Sequence, residues 1–332
     1  MKKEQFQFIS QVVLLFLVLY AFLVSIGLLG ASFKLFGKEL AEEVIAMTSS
    51  PIVGLFAGIL ATTLAQSSST TTSIVVGMVA GGALTIEGAI PVIMGANIGT
   101  SVTNTLVSMG HITRQEEFRR ALAGATVHDF FNLMVVIILL PIELTFGYLR
   151  WVAEQASVLF AGMGGMKAAS PLKIITKPAI SFLLDLLGQN PLLALILALL
   201  LMYLALKFLV DLAKGIVIQR AEGYINRYLF GAPLMTMLFG VIMTVLVQSS
   251  SITTSLIIPL IGAGILTLEQ VFPYTLGANI GTTVTAMLAS LATGNIAAVT
   301  VAFAHLFFNL TGIALIYPIA AIRRIPLRLA RG

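Results

Sequence analysis

The sequence predicts an all-α polytopic membrane protein made of two inverted-topology repeats, each with a re-entrant helical hairpin and three full spans. Three observations predict it. The composition is 58% hydrophobic and only 10% charged, with mean hydropathy +1.02, whereas a soluble domain carries roughly 25% charged residues. Residues 51–103 slide onto 233–285 at one offset, 182, without a gap, and 24 of those 53 positions are identical. Each copy holds an odd number of apolar stretches long enough to cross a bilayer, so the second copy must start from the opposite side.

The elements follow in order. The apolar run from Ile9 to Gly30 exceeds the roughly 7–15 residues of a signal-peptide core, and reads as a first transmembrane helix rather than a cleaved leader. Residues 32–49 mix polar and apolar positions and suit an interfacial segment. Pro51 to Leu64 is apolar but short: 14 residues make about 21 Å of helix against a hydrocarbon core of roughly 30 Å. The hydroxyl-rich AQSSSTTTS (65–73) follows, with Thr70, Thr71 and Thr72 opening a second short helix to about Gly82. Two half-length helices around a polar break read as a re-entrant hairpin over 51–83. Full spans then cover about 89–109 and 121–146.

Copy two repeats the order. A span lies near 191–212, an interfacial segment at 214–231, a hairpin at 233–265 around VQSSSITTS (247–255), and spans at about 271–292 and 296–318. Further matches support the duplication: GANIGT occurs at 95–100 and at 277–282, and after a five-residue deletion His128 to Asn132 aligns with His305 to Asn309. The chain therefore divides into repeat 1 (1–149), an interfacial connector (150–188), repeat 2 (189–320) and a basic tail (321–332). Basic residues orient it. With the N-terminus cytoplasmic, twelve Lys and Arg fall inside and six outside, with Lys207 left in a span, a bias that favours N-in and C-in. The net charge of +5 is thus a topology signal and implies no nucleic-acid partner. The absence of cysteine excludes disulfide and thiol chemistry.

Irregular backbone and clustered hydroxyls are tolerated at membrane depth only when buried in protein or lining a cavity. Inverted symmetry brings the two tips toward each other. Each tip offers a glutamine amide, serine and threonine hydroxyls, and the free N–H groups of a helix N-terminus, which favours anions. The hairpins hold no Lys or Arg, so neutral donors would bind a tetrahedral oxyanion. The paired glycines of each GANIGT are expected to break their helices and expose carbonyls beside Asn97, Thr100, Asn279 and Thr282, as in the unwound cation sites of secondary transporters. Together these features predict cation-coupled anion transport at the repeat interface. A competing reading makes the small polar residues helix-packing elements only.

Weaker candidates surround this centre. His128, Asp129, Asn132, His305 and Asn309 lie in spans, where they serve either a site or interhelical hydrogen bonding. Glu87 and Glu269 repeat at the hairpin bases and read as solvated. Lys207 and Asp211, four apart on a helix, are expected to pair. A remote alternative is an intramembrane serine hydrolase using a tip serine with His128 or His305. The serine runs are tripled and duplicated, however, with no single activated nucleophile.

The stretches QSSSTTTS (66–73), IPVIMGANIGTSVTNT (90–105), FRRALAGATVHDFFN (118–132), QSSSITTS (248–255), YTLGANIGTTVTA (274–286) and HLFFNLTGI (305–313) resemble the type II sodium-dependent phosphate cotransporters. The resemblance extends from about 50 to 318. It implies a non-enzymatic symporter of the plasma or inner membrane that carries inorganic phosphate with Na⁺ as the co-transported ion, in a homodimer. Carried over, it places phosphate on Gln66, Ser67, Ser68, Gln248, Ser249 and Ser250. It places Na⁺ among Ser69, Thr70, Asn97, Asn104, Ser251, Asn279, Thr282 and Thr285. The long cysteine-bearing loop of animal members is absent between the halves. The same architecture serving another oxyanion or a carboxylate stays open.

Overall fold

The computed structural model describes residues 2–221 and 232–332, and among them it is helical with no strand. Copy one comprises α1 (Lys2–Phe36), α2 (Lys38–Thr48), α3 (Pro51–Ala65), α4 (Ser68–Gly81), α5 (Ile86–Gly99), α6 (Ser101–Ser108) and α7 (Gln115–Phe146). The connector is itself helical, as α8 (Tyr148–Gly162) and α9 (Gly165–Leu186). Copy two comprises α10 (Pro191–Ala221), α11 (Pro233–Val247), α12 (Ser250–Ser255), α13 (Ile258–Gly262), α14 (Leu268–Thr293) and α15 (Ile296–Ile316), and α16 (Ala320–Arg331) follows. Of the interfacial segment expected at 214–231, residues 222–231 lie outside the described residues.

Local chemistry sets the boundaries. Gly37, at φ 84°, separates α1 from α2, and the chain then bends by 99° into α3. Pro51 and Pro233 open the first helix of each hairpin, where the missing N–H costs nothing. Thr85 and Thr267 cap α5 and α14 through their hydroxyls, the latter in a capping box with Gln270. The second arm differs between copies: α4 is continuous, whereas α12 and α13 are separate helices. The repeat equivalent of Gly77 is Pro259, which cannot donate to the helix ladder.

Four described helices are long and apolar enough to cross a membrane, at Val13–Phe36, Gln115–Phe146, Pro191–Leu209 and Ile296–Ile316, and a fifth counts if the bent pair α2–α3 is one span. The elements at the two other expected spans, α5–α6 and α14, are rich in Gly, Asn and Thr and largely buried. The outer faces are apolar. Helix α3 exposes Ile52, Val53, Phe56, Leu60 and Leu64, and α11 exposes the five equivalent residues, Leu234, Met235, Leu238, Ile242 and Leu246. Such stripes suit a hydrocarbon surrounding.

Inside, α1 and α10 pack together through Phe22, Ile26, Leu29, Ala198, Met202 and Ala205. A second core joins α5, α7, α14 and α15 around Met94, Phe131, Phe272 and Phe308. Here one expectation is corrected. The glycines of GANIGT do not unwind their helices: α14 runs through 277–282 unbroken, and in copy one Thr100 joins α5 to α6 in right-handed helical geometry. Their physical role is close approach. A Cβ on Gly95 would stand 1.9 Å from the Leu55 carbonyl oxygen, and one on Gly58 1.9 Å from that of Val92. Copy two repeats this, with Gly277 against Met237 at 1.9 Å and Gly240 against Tyr274 at 2.2 Å.

Candidate functional site

The tips form where each hairpin's first helix ends. Gln66 (φ 50°) and Gln248 (φ 58°) take the left-handed conformation, which is unfavourable by roughly 1–2 kcal/mol for an L-residue with a side chain. The next residues, Ser67 and Ser249, are extended N-caps. Ser67 Oγ accepts the Thr70 N–H at 3.2 Å, and Ser249 Oγ accepts that of Ile252 at 3.4 Å. Strained backbone held by its surroundings is a mark of functional sites. It occurs at these two equivalent positions and, among the described residues, otherwise at Gln189 in the turn before α10.

The tips meet. Ser68 Oγ and Ser250 Oγ, equivalent across the repeat, stand 3.3 Å apart and buried. Beside this contact lies a cavity of about 230 Å³ lined by Gln66, Ser67 and Thr70 from one tip and Gln248, Ser249 and Ile252 from the other. Four of the six expected anion ligands thus face one space, and Ser68 and Ser250 lie buried against each other. Helix α10 adds Tyr203, Leu206 and Lys207 to the same lining.

The expected cation ligands separate into three groups. Nearest the tips, Thr70 Oγ1 donates to Ser67 Oγ at 2.9 Å, Thr285 Oγ1 donates to Gln248 Oε1 at 3.0 Å, and Asn104 Oδ1 accepts from Thr254 Oγ1 at 3.0 Å. Ser69 and Ser251, also equivalent, are buried with hydroxyls that have no partner among the described residues. Asn97 and Asn279 belong to a second, buried network. Thr100 and Thr282 donate back to the carbonyls of Ala96 and Ala278 at 3.1 and 3.2 Å, so their hydroxyls serve their own helices.

That second network crosses the repeats. His128 Nε2 donates to Asn279 Oδ1, and Asn279 Nδ2 donates to Asn132 Oδ1 at 3.0 Å. Its counterpart is looser, with His305 Nε2 3.5 Å from Asn97 Oδ1. Each histidine therefore reaches the asparagine of the other copy's GANIGT. The hairpin-base acids are exposed, as expected, and each also pairs with an arginine: Glu87 with Arg150 at 2.7 Å, and Glu269 with Arg331. A hydrogen bond from its own backbone N–H, more than Arg150, holds the Glu87 carboxyl below the usual range despite partial burial.

The sequence reading missed Lys207 as a neighbour of the tips. Its position inside an apolar span was a signal, since ionisable residues there usually face a cavity or the protein interior. No ion pair of Lys207 occurs among the described residues, and the Asp211 side chain lies outside them.

Several apolar helices long enough to cross a bilayer, with polar tips converging on one cavity, define the class: a polytopic membrane protein. The chain belongs to the Na⁺/Pi-cotransporter family, whose model matches residues 21–168 and 180–321. It is 37% identical to sodium-dependent phosphate transport protein 2A of Ovis aries, over 95% of this chain and 62% of that protein. It is 36% identical to protein 2B of Homo sapiens, over 98% and 61%, and 37% identical to protein 2A of Rattus norvegicus, over 95% and 61%. The chain thus spans about 62% of the length of the curated relatives it matches. No solved structure matches it.

Proposed function

We propose that the protein is a secondary active transporter that carries inorganic phosphate together with Na⁺ across a cell membrane by alternating access. The observation that carries this reading is the shared cavity: both tips line one space, and neither surrounds it alone. Gln66, Ser67, Gln248 and Ser249 would hold the phosphate through neutral donors and the N-terminus of α4, with Ser68 and Ser250 joining when the tips part. The names of the relatives, all sodium-dependent phosphate transport proteins, support the substrate and the coupling ion.

Na⁺ would be bound by oxygens next to the tips. Ser69 and Ser251 are the better candidates, because their hydroxyls are buried and unpartnered, while Thr70, Asn104 and Thr285 already touch tip residues. Asn97, Thr100, Asn279 and Thr282 would need their present hydrogen bonds exchanged, which places them in a different step of the cycle. The moving unit would be the two hairpins with the helices they clasp, shifting in an elevator-like motion against α1 and α10. A homodimer of such scaffolds fits the family reading.

Inverted repeats and N-in, C-in topology belong to the same proposal. Contact between equivalent serines is what a two-fold relation between the copies would produce. Sidedness is supported by clustering. One surface cavity gathers Arg119, Arg120, Gly264, Glu269 and Arg331, all assigned to the cytoplasm. Another gathers Thr48, Ser49, Glu87, Glu143 and Arg150, all assigned to the outside.

Purified protein in proteoliposomes should take up labelled phosphate when Na⁺ is higher outside, and should stop when K⁺ replaces Na⁺. Ser67→Ala with Ser249→Ala should lower that uptake at least tenfold while the protein still folds, as judged by its unfolding temperature. Uptake that ignores the replacement of Na⁺ would defeat the coupling. Competition by sulfate, arsenate or a carboxylate as strong as that by phosphate would favour another oxyanion.

A further inference from the structure

Lys207 lies within Pro191–Leu209, a stretch apolar and long enough to span a membrane. A charge there is costly and is normally kept for a pathway or an ion. Snorkelling toward the interface would be the ordinary explanation for a lysine near the end of a span. Lys207 is exposed, and the space it borders is the one between the tips. Lys207 lines the cavity of about 230 Å³ between the two tips, and it is the one charged side chain among that cavity's described lining residues. Tyr203, one helical turn earlier, lines it too, so an ammonium and a phenol share one face of α10.

The rest of the cavity supplies polarity but no charge. Gln66, Ser67, Gln248 and Ser249 are neutral, and an anion held by them alone would have no fixed counter-charge. An ammonium brings three N–H donors and a full positive charge. Its helix is braced, since Ala205, Leu206 and Leu209 share a core with Phe22, Ile26 and Leu29 of α1. Among the described residues no carboxylate pairs with it. The duplication does not supply a second such group: at the same offset of 182 stands Ser25, a buried hydroxyl bonded to the Phe22 carbonyl.

We infer that Lys207, with Tyr203 beside it, forms the charged wall of the anion site, and that Lys207 binds phosphate directly opposite the two tips. This rests on the phosphate-transport reading and adds a charged ligand to it. One wall of the site then belongs to the α1–α10 pair and the other to the hairpins, so any separation of the two would loosen the anion.

The test uses Lys207→Met, which keeps length and removes charge, and Lys207→Arg, which keeps charge. In Na⁺-driven uptake of inorganic phosphate, K207M should raise the KM for phosphate about tenfold, with K207R within about threefold of wild type. Raising ionic strength with choline chloride should raise the wild-type KM and leave that of K207M nearly unchanged, since added salt screens the attraction between the ammonium and the anion. A phosphate-dependent rise in unfolding temperature should be present in wild type and lost in K207M. An unchanged KM and an intact phosphate shift in K207M would overturn the inference while leaving phosphate transport standing. If K207M unfolds, the milder Lys207→Gln carries the same expectations. Wild-type protein with neither phosphate uptake nor a phosphate shift would remove the functional reading, and this proposal with it.

Discussion

Asn279 and Thr282 sit three residues apart on α14, and the structure gives them different work. Asn279 is buried, accepts from His128 and donates to Asn132. Asn279→Ala leaves two buried polar groups without partners, at roughly 1–3 kcal/mol for each, and should lower the unfolding temperature clearly. Thr282 donates only to the Ala278 carbonyl in its own helix. Thr282→Val should therefore stay within about 1 kcal/mol of wild type, because that carbonyl retains its helical donor. If Thr282 binds Na⁺ in another state, T282V will raise the Na⁺ needed for half-maximal uptake with stability unchanged. An unchanged Na⁺ requirement would take Thr282 out of the cation set. The residue types of this region were legible from the sequence. The partner of each was not, because His128 and Asn279 are 151 residues apart and no local pattern joins them.

The pairing of α3 with α5, and of α11 with α14, rests on glycine. A Cβ placed 1.9 Å from a backbone oxygen, as at Gly95 and Gly277, cannot be absorbed by a side-chain rotation. The helices must separate, and overpacking of this kind costs typically 1–3 kcal/mol or more. Gly95→Ala and Gly277→Ala should each destabilise the detergent-solubilised protein. Gly162→Ala, where nothing lies within 4 Å of the added carbon, should be neutral or slightly stabilising, since alanine outranks glycine in a helix. Equal unfolding temperatures for all three would mean that the close approach does not bear on stability. Helix propensity is also why the sequence reading went astray here, because paired glycines in isolation weaken a helix by about 1 kcal/mol each. Their facing partners Gly58 and Gly240 were visible only as repeat identities until α3 and α11 were seen lying across them. The half-length helices were the most legible elements, since a 15-residue apolar helix before a polar break is present twice.

At the scale of the whole molecule, residues distant in sequence cluster by the side of the membrane to which their charges assign them. The bases of the two hairpins show this. Glu87 meets Arg150 on α8, and Glu269 meets Arg331 on α16, so each hairpin base is tied to the helix that follows its own repeat's last span. If the copies are inverted, these two ion pairs lie on opposite faces, and so do the turns that join the second span of each repeat to its last. Ile112 and Ile296 mark those turns and are 58% and 43% exposed, enough for a reagent to reach. The chain has no cysteine, so Ile112→Cys and Ile296→Cys can each be introduced into an otherwise thiol-free protein without removing a functional group. In right-side-out vesicles a membrane-impermeant maleimide should label the cysteine at 296 and spare the one at 112 until the membrane is opened with detergent. Inverted vesicles should reverse the pattern. Labelling of both from the same side would make the repeats parallel, and the tips could then no longer approach the middle of the membrane from opposite faces.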